Sequence, residues 1–369
     1  MNQMYLDRIE KVRKNLAVFN ADGMLVADGD NLKYLTGFLG GTGDGLLLIG
    51  TSEKKAALIT DARYEEELRT SLPEGIDLLI TRDYYGVAML AAKRFKINNL
   101  GFEDTLPFKI FDVLDENFEG QDENSDIVPI PELVEWLRQV KSENELDALR
   151  HSTEVAVKAY EELLTKVEVG MTERQVANLL DFIIKGLGAT SASFETIVAS
   201  GYRGALPHGE ATDKKLAEGE LVTIDFGYFV DGYTSDITRT FALGAVDDGV
   251  KKAYQVVQQA NQKAIQKIKA GVSAGDVDQA AREVIDQAEY GKYYTHATGH
   301  GVGLAIHEGP VVSTQAEERL EAGMLLTIEP GIYIPGAFGI RIEDDVIVTK
   351  NGVENLTSEL TTDLISIDR

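Results

Sequence analysis

Short runs rich in Leu, Ile and Val alternate with polar, glycine-bearing segments over the first 125 or so residues. Gly23–Ala27, Leu46–Ile49, Ala56–Thr60 and Leu78–Thr81 have the length, aliphatic content and Gly or Asp flanks of strands. Arg63–Leu72 and Val87–Phe95 read as helices between or after them, so the pattern predicts a small α/β domain. Gly40-Gly41-Thr42-Gly43-Asp44-Gly45 has the glycine content of a phosphate loop. It leads into a strand, however, and lacks the Lys-Ser/Thr ending, which predicts a turn. The polar stretch Glu119–Ser125, followed by Pro129 and Pro131, reads as a linker. An N-terminal domain of residues 1–130 and a second domain of residues 131–369 follow from that reading.

From Pro131 to about Lys166 the pattern is helical. Ser142-Glu143-Asn144-Glu145 has capping-box spacing within it, which predicts two helices with a break. Farther on, a unit of about 100 residues occurs twice. Gly170-Met171-Thr172 opens a helix to about Lys185, and Gly271-Val272-Ser273 opens another to about Ala288, with Gln175 and Asp276 three positions after the capping Thr and Ser. Each helix precedes a segment containing Gly and His and then a two-stranded pattern, Leu221–Leu243 and Met324–Thr349. A duplicated unit of this kind predicts a pseudo-twofold α+β domain with a cleft between its halves.

Composition narrows the function classes. The 369 residues accommodate two domains at roughly 100–200 residues each. A hydrophobic content of 44% with 26% charged residues is that of a soluble globular chain and excludes disorder. Apolar runs such as Leu46–Ile49 fall far short of the ~20 residues of a membrane span, and Met1–Lys14 holds charges without a long apolar segment. No membrane association or secretory signal is therefore expected. Lys and Arg number 36 against 61 Asp and Glu, and a net charge of −25 repels nucleic acid and anionic lipid. With no cysteine, disulfides, thiolate nucleophiles and Cys-based zinc sites are all excluded, and a cytoplasmic location is expected.

The acidic residues of interest lie in the two strand pairs. Leu221–Gly227 alternates at period two, turns near Asp231-Gly232 and returns through Thr234–Thr238. With Val230-Asp231 as the loop, Asp225 and Asp236 are directly opposite; with Asp231-Gly232 they are diagonal. Either register leaves both on one face, about 5–8 Å apart. The second unit repeats the arrangement, with Glu329 and Glu343 at matching parity about a turn near Pro335-Gly336 and Arg341 on the face of Glu343. Pro330 removes a ladder donor beside Glu329 and predicts a bulge or an edge. Two unit charges 4 Å apart repel by about 4 kcal/mol at an effective dielectric of 20. Four partly buried carboxylates thus require cations or protons, and two divalent ions cancel their charge. Oxygen ligands suit Mn²⁺ or Mg²⁺, and an added imidazole moves the preference toward Mn²⁺, Co²⁺ or Zn²⁺.

Of five histidines, four fall in two short motifs: His208 in Leu206-Pro207-His208-Gly209, and His296, His300 and His307 within His296–Glu308. A single extended strand would put His300 and His307 on opposite faces, and Gly301 and Gly303 disfavour a helix. A common facing therefore needs a glycine-permitted bulge. His151, on a charged helix, is expected to be solvated.

The set Asp225, Asp236, His300, Glu329 and Glu343, together with the His300–His307 motif, resembles the metal-dependent peptidases of the pita-bread fold, and among them the Xaa-Pro peptidases, aminopeptidase P and prolidase. The likeness extends to Asn31–Phe38, in a creatinase-like N-terminal α/β domain, and to Ser193–Gly201. It implies two divalent metals, Mn²⁺ foremost and Co²⁺ or Zn²⁺ as alternatives. Asp225 would chelate one, Asp236 and Glu343 bridge both, and His300 and Glu329 complete the other. It further implies attack of a hydroxide shared by the metals on the carbonyl preceding proline, with Glu329 as proton shuttle. His307 and His208 would hydrogen-bond the oxyanion and the proline-side carbonyl. His296 and Arg341 would support the site, Arg341 by orienting a ligand carboxylate, and Tyr333 would line it. A proline-containing peptide as substrate and a homodimeric state belong to the same implication. The runs at Phe194–Gly201 and Leu206–Gly209 look closer to aminopeptidase P, so release of the first residue from Xaa-Pro peptides is the expected activity, with prolidase the alternative. A methionine aminopeptidase usually lacks such an N-terminal domain, creatinase lacks the metal set, and a non-catalytic binding module would have replaced the ligand positions.

Overall fold

The apolar runs of the N-terminal third form the middle of a six-stranded sheet in a computed structural model that describes residues 2–52, 55–118 and 126–368. Strands β1 (Gly23–Val26), β2 (Gly45–Gly50) and β3 (Ala56–Thr60) are buried along their whole length, as aliphatic runs covered on both faces should be. The order is β4-β3-β2-β1-β5-β6, with β4 (Asp77–Ile80), β5 (Asn99–Glu103) and β6 (Asp126–Ile130). β1 pairs antiparallel with β2 and parallel with β5. The helices of this part are α1 (Asn2–Leu16), α2 (Gly29–Thr36), α3 (Glu65–Ser71), α4 (Tyr84–Arg94) and α5 (Phe108–Phe118), followed by α6 (Leu133–Gln139).

The strand and helix expectations for β1 to β4, α3 and α4 hold to within a few residues. The sequence pattern does not predict α1, which buries a narrow stripe of Ile9, Val12 and Leu16 along an otherwise charged segment. Nor does it predict α2, β5 or α5. The glycine-rich segment is a turn, closed by Asp44 N–H to Gly41 O at 3.0 Å, that enters β2. Pro129, read as linker, stands inside β6 at the sheet edge, where a missing ladder donor is tolerated. Glu119–Ser125 lies outside the described residues. The chain divides into two units after Arg138, residues 1–138 and 139–369.

The second unit shows the duplication in its backbone bonding. Helix α7 (Glu143–Leu164) starts from a capping box of Ser142 and Glu145, and α8 (Glu173–Gly186) from one of Thr172 and Gln175. The second half supplies α9 (Asp248–Lys267) and α10 (Ala274–Gln287), where Ser273 caps through the N–H of Gly275 and not of Asp276. In the first half Leu216 exchanges backbone bonds with Gly170 and Met171; in the second, Leu320 does so with Gly271 and Val272, all at 2.8–2.9 Å. The same chain geometry is thus built twice, about a hundred residues apart.

Two sheets carry these halves. One has the order β20-β12-β9-β8, with β8 (Ile197–Ser200), β9 (Leu221–Phe226), β12 (Ile237–Leu243) and β20 (Ser366–Ile367). The other has the order β14-β13-β15-β18-β19, with β13 (Gly299–Gly301), β14 (Glu308–Val312), β15 (Leu325–Ile328), β18 (Asp344–Val348) and β19 (Val353–Asn355). Small sheets extend the hairpins: β7 (Ser191–Ala192) with β10 (Tyr228–Val230) and β11 (Tyr233–Thr234), and β16 (Gly331–Ile334) with β17 (Phe338–Arg341). Each half packs its helices on its sheet through a separate apolar core. Among the described residues no helix is long and apolar enough to cross a membrane.

Candidate metal centre

The second hairpin loses its ladder where both its acids stand, and the first loses it at Asp236 while Asp225 stays paired. In the first, Asp231 and Gly232 have φ of 52° and 81°, the two positive values of a type I′ turn. That loop sets the diagonal register: Asp225 pairs with Thr238 and Phe226 with Ile237, leaving Asp236 two residues along from Thr238 and just outside β12. In the second, Ile328 pairs with Asp344 and Gly331 with Arg341, which places Glu329 opposite Glu343 in the gap between the two paired segments. Pro330 and the N–H of Glu329, which goes to Thr298 O at 2.8 Å, account for that gap. The hairpins are tied together by Glu343 N–H to Thr238 O at 3.0 Å and by Thr240 Oγ1 to Arg341 O at 3.0 Å.

The histidine motif meets this place through a bulge. The β13–β14 register shifts between His300 and Gly301, and a Cβ on Gly301 would lie 2.1 Å from Gly309 O, so only glycine allows the approach. His300 and His307 consequently face one another with ring centroids 4.5 Å apart. His300 Nδ1 lies 3.0 Å from Gly301 O and must donate to it. Its Nε2 lone pair then points at Asp236 Oδ2, 3.5 Å away, and Glu329 Oε1, 3.7 Å away. Ligand atoms of Asp236, His300 and Glu343 all lie within 4.8 Å of one another. Asp225 is held differently. Its Oδ2 accepts from Arg341 Nη2 at 2.6 Å, while its buried Oδ1 has no hydrogen-bond partner.

Residues 147–350 match the model of metallopeptidase family M24, and residues 8–140 match the creatinase/prolidase N-terminal domain. The chain belongs to metallopeptidase family M24. It is 36% identical to a Xaa-Pro dipeptidase of Pyrococcus horikoshii, over 97% of each chain. A solved structure of a Xaa-Pro dipeptidase from Bacillus anthracis shares 38% identity, with a TM-score of 0.93, over 98% of this chain and 100% of the other. A solved X-Pro aminopeptidase from Thermotoga maritima shares 32%, with a TM-score of 0.87, over 97% and 99%. The creatinase-like α/β domain and pita-bread catalytic domain expected from the sequence are the architecture of this M24 chain.

The electrostatics of the acid and imidazole cluster follow from burial. Asp236 and Glu343 are held well above the ordinary carboxylate range, chiefly by desolvation and then by the neighbouring acids. Burial, reinforced by Asp225, pushes Glu329 up to about 8 against the opposing pull of Arg341. Burial also pushes His300 down to about 4, with a smaller push from His307. His300 is thus a neutral imidazole at pH 7, the form that ligates metal. Clustered acids that resist ionisation, a free imidazole lone pair and an orphaned Asp225 oxygen form a donor set suited to divalent cations.

Arg341 forms the support. Its Nη2 donates to Asp225, its Nε to Thr238 Oγ1 at 3.0 Å, and its Nη1 to Tyr333 OH at 2.8 Å and Pro207 O at 3.2 Å. Tyr333 is buried and its hydroxyl lies 2.9 Å from His296 Nε2, so it links Arg341 to His296 instead of presenting an open face. His296 Nδ1 lies 2.7 Å from Ala297 O, and burial lowers its pKa to about 4, with a small contribution from nearby His208. His208 itself is exposed on the turn whose Pro207 carbonyl Arg341 holds. His151 is half exposed and pairs with Asp231 at 2.8 Å.

Sequence reasoning missed two partners of the acids. Thr238 Oγ1 donates to Glu343 Oε2 at 2.6 Å, and Asp345 Oδ2 accepts the N–H of Asp236 at 3.1 Å. The period-two signal that exposes Asp236 on its face also carries Thr238, so that residue was findable. Asp345 follows two acids in a row and gives no such signal.

Proposed function

We propose that this M24 metallopeptidase is a Xaa-Pro dipeptidase that holds two divalent ions, Mn²⁺ by preference, on Asp225, Asp236, His300, Glu329 and Glu343. The observation that carries the reading is the buried meeting of Asp236, Glu343 and the neutral imidazole of His300, with Glu329 beside it. The names of the Pyrococcus horikoshii and Bacillus anthracis relatives supply the substrate class. They favour the dipeptidase over the aminopeptidase that the motifs around Phe194 and His208 suggested.

Bound there, the ions supply Lewis acidity and make water nucleophilic at neutral pH. The water oxygen bonds to the carbonyl carbon before proline as the C–N bond breaks. Glu329, beside His300 in the cluster and ionised when the cations are held, accepts a proton from the water and delivers it to the departing proline nitrogen. His307 and His208, both exposed toward solvent, offer N–H groups to the carbonyl oxygen and to the proline side of the substrate. Arg341 holds the Asp225 carboxylate in place by a charge-assisted bond. The complete acid and imidazole set weighs against a binding module without catalysis.

A second reading, Xaa-Pro aminopeptidase, rests on the likeness to the solved Thermotoga maritima protein. Chelator-stripped and Mn²⁺-restored protein assayed on Xaa-Pro dipeptides and Xaa-Pro-Yaa tripeptides tests both. A dipeptidase cleaves the dipeptides with the higher kcat/KM. Equal or faster release of the first residue from tripeptides would transfer the reading to the aminopeptidase, and no cleavage of either by the metal-restored protein would end both.

A further inference from the structure

His307 follows a glycine-interrupted loop and is itself exposed, with His300 on one side of its ring. Surrounding packing does not fix such a ring, so its position depends on the backbone beneath it. That backbone runs from Val302 to Ile306 without regular structure. Backbone bonds hold its start, from Thr234 N–H to Gly303 O at 3.0 Å and from Gly303 N–H to Ala305 O at 3.1 Å, and the carboxylate of the residue after His307 holds the rest. Glu308 Oε1 accepts the N–H groups of Leu304 at 2.9 Å and Ala305 at 3.1 Å, which closes the loop from inside. The carboxylate occupies the space where a Cβ on Gly303 would be, 2.5 Å from its Oε2.

The other oxygen meets a cation. Lys141 Nζ lies 3.1 Å from Glu308 Oε2, and the two side chains are 1% and 5% exposed. Lys141 is anchored in turn by its own N–H to Gly323 O at 3.0 Å, immediately before the helix α7 cap. A buried ion pair is seldom retained for stability, because desolvation offsets most of the attraction. This one joins the stretch between α6 and α7 to the loop carrying His307, and neither partner belongs to the acid cluster.

We infer that the Lys141–Glu308 ion pair is a positioning device for His307, with both members acting on the proposed peptidase reaction through the loop they pin. The inference rests on the peptidase reading given above for the part of its test that uses activity. Removing the charge of Glu308 leaves the ammonium of Lys141 buried without its carboxylate, and the loop is free to relax away from His300. The metal ligands lie outside the loop, so metal content should not change.

The test uses full-length protein carrying Glu308→Gln, His307→Ala or both. Glu308→Gln should lower kcat/KM on a Xaa-Pro dipeptide by about 10–100-fold, the usual effect of misplacing a catalytic group through its support. The loss should be almost absent when Glu308→Gln is added to His307→Ala, because the two act as one unit. Unchanged kcat/KM in Glu308→Gln, or losses that multiply in the double variant, would overturn the inference. The five histidines make ¹³C-histidine spectra of metal-free protein tractable. The ring contact between His300 and His307 should vanish in Glu308→Gln while the His296 resonance stays in place. Persistence of that contact would also overturn the inference. If the wild type cleaves no Xaa-Pro substrate, the functional reading fails and the spectra alone decide the ion pair. Lys141→Met, which removes the cation that anchors the Glu308 carboxylate, replaces Glu308→Gln if that variant does not fold, with the same loss of kcat/KM and of ring contact expected and their absence overturning the inference.

Discussion

Metal-free protein should lose stability as the pH rises from 6.5 to 8, and divalent metal should reverse the loss. Glu329, ordinarily near 4.5, is pushed up to about 8 by burial in the folded state. A pKa raised by folding gives a contribution that is complete below the unfolded value and disappears as the pH climbs through the folded one. His296 and His300 act with the opposite sign. Burial takes each from 6.5 down to about 4, so the unfolded chain binds their protons preferentially below pH 6.5. Above 6.5 the unfolded histidines lose their remaining protons, which offsets the loss by less than about 1 kcal/mol, so the carboxylates set its sign. One group contributes about 1.36 kcal/mol per pH unit, so Glu329 alone accounts for about 2 kcal/mol across the window. Asp236 and Glu343 are shifted in the same direction and add to it. At roughly 2–4 °C per kcal/mol for a domain of this size, Tm should fall by at least about 4–8 °C. Metal at a hundred times its Kd adds about 2.7 kcal/mol, and more at higher pH, because it binds the ionised ligands. Thermal melts of chelated and Mn²⁺-loaded protein at several pH values between 6.5 and 8 check this. A metal-free Tm that is flat or rising over the window, or a slope unchanged in a Glu329→Gln/Glu343→Gln double variant, would refute the electrostatic account.

Other consequences are more local. His300→Ala should remove the one imidazole donor of the cluster and cost at least about 10-fold in metal affinity, read by competition with a chromogenic chelator. Arg341→Lys cannot serve Asp225, Thr238 and Tyr333 together with a single ammonium, so metal affinity and kcat/KM should both fall by about 10–100-fold. Thr238→Val keeps the shape but strands Glu343 Oε2 and Arg341 Nε, and should destabilise the protein by about 1–3 kcal/mol in urea unfolding. With substrate in a trans/cis mixture and fast turnover, consumption of a Xaa-Pro substrate should show a fast phase and then one limited by isomerisation over tens of seconds. A single fast phase consuming everything would contradict selection of one isomer.

Period-two alternation and turn chemistry made most of the centre legible. Asp231-Gly232 admits the I′ geometry, and once that turn is chosen the diagonal relation of Asp225 to Asp236 follows by counting. Parity about Gly336 likewise put Glu329 and Glu343 together. The contact of His300 with His307 was not legible, because a bulge is one extra residue that periodicity does not register. Long-range ties such as Asp345 to Asp236 were hidden for a related reason: only the assembled fold brings them together. In the rest of the chain, helix α9 went unseen because half of its buried stripe is Ala and it carries an Asn, a weak apolar signal. Pro129 misled for the opposite reason, as a strong breaker signal at a place where an edge strand tolerates it.

The two interrupted hairpins explain why duplication suits this chemistry. An unbroken ladder would place the acids on a strand surface with their backbone groups fully paired and the neighbouring hairpin a sheet spacing away. Opening the ladders at Asp236 and at Glu329 and Glu343 frees backbone N–H groups to bond across the halves, as Glu343 does to Thr238, and draws these three carboxylates inward, where burial raises their pKa values. Neither half carries the means to hold that arrangement. Arg341 belongs to the second hairpin yet binds Asp225 and Thr238 of the first, and Thr238 in turn binds Glu343 of the second. The closed circuit makes each half the counter-structure of the other. A site so divided lets one half contribute ligands that the other orients, and its acids can be ionised together only when a cation replaces the protons that burial would otherwise retain.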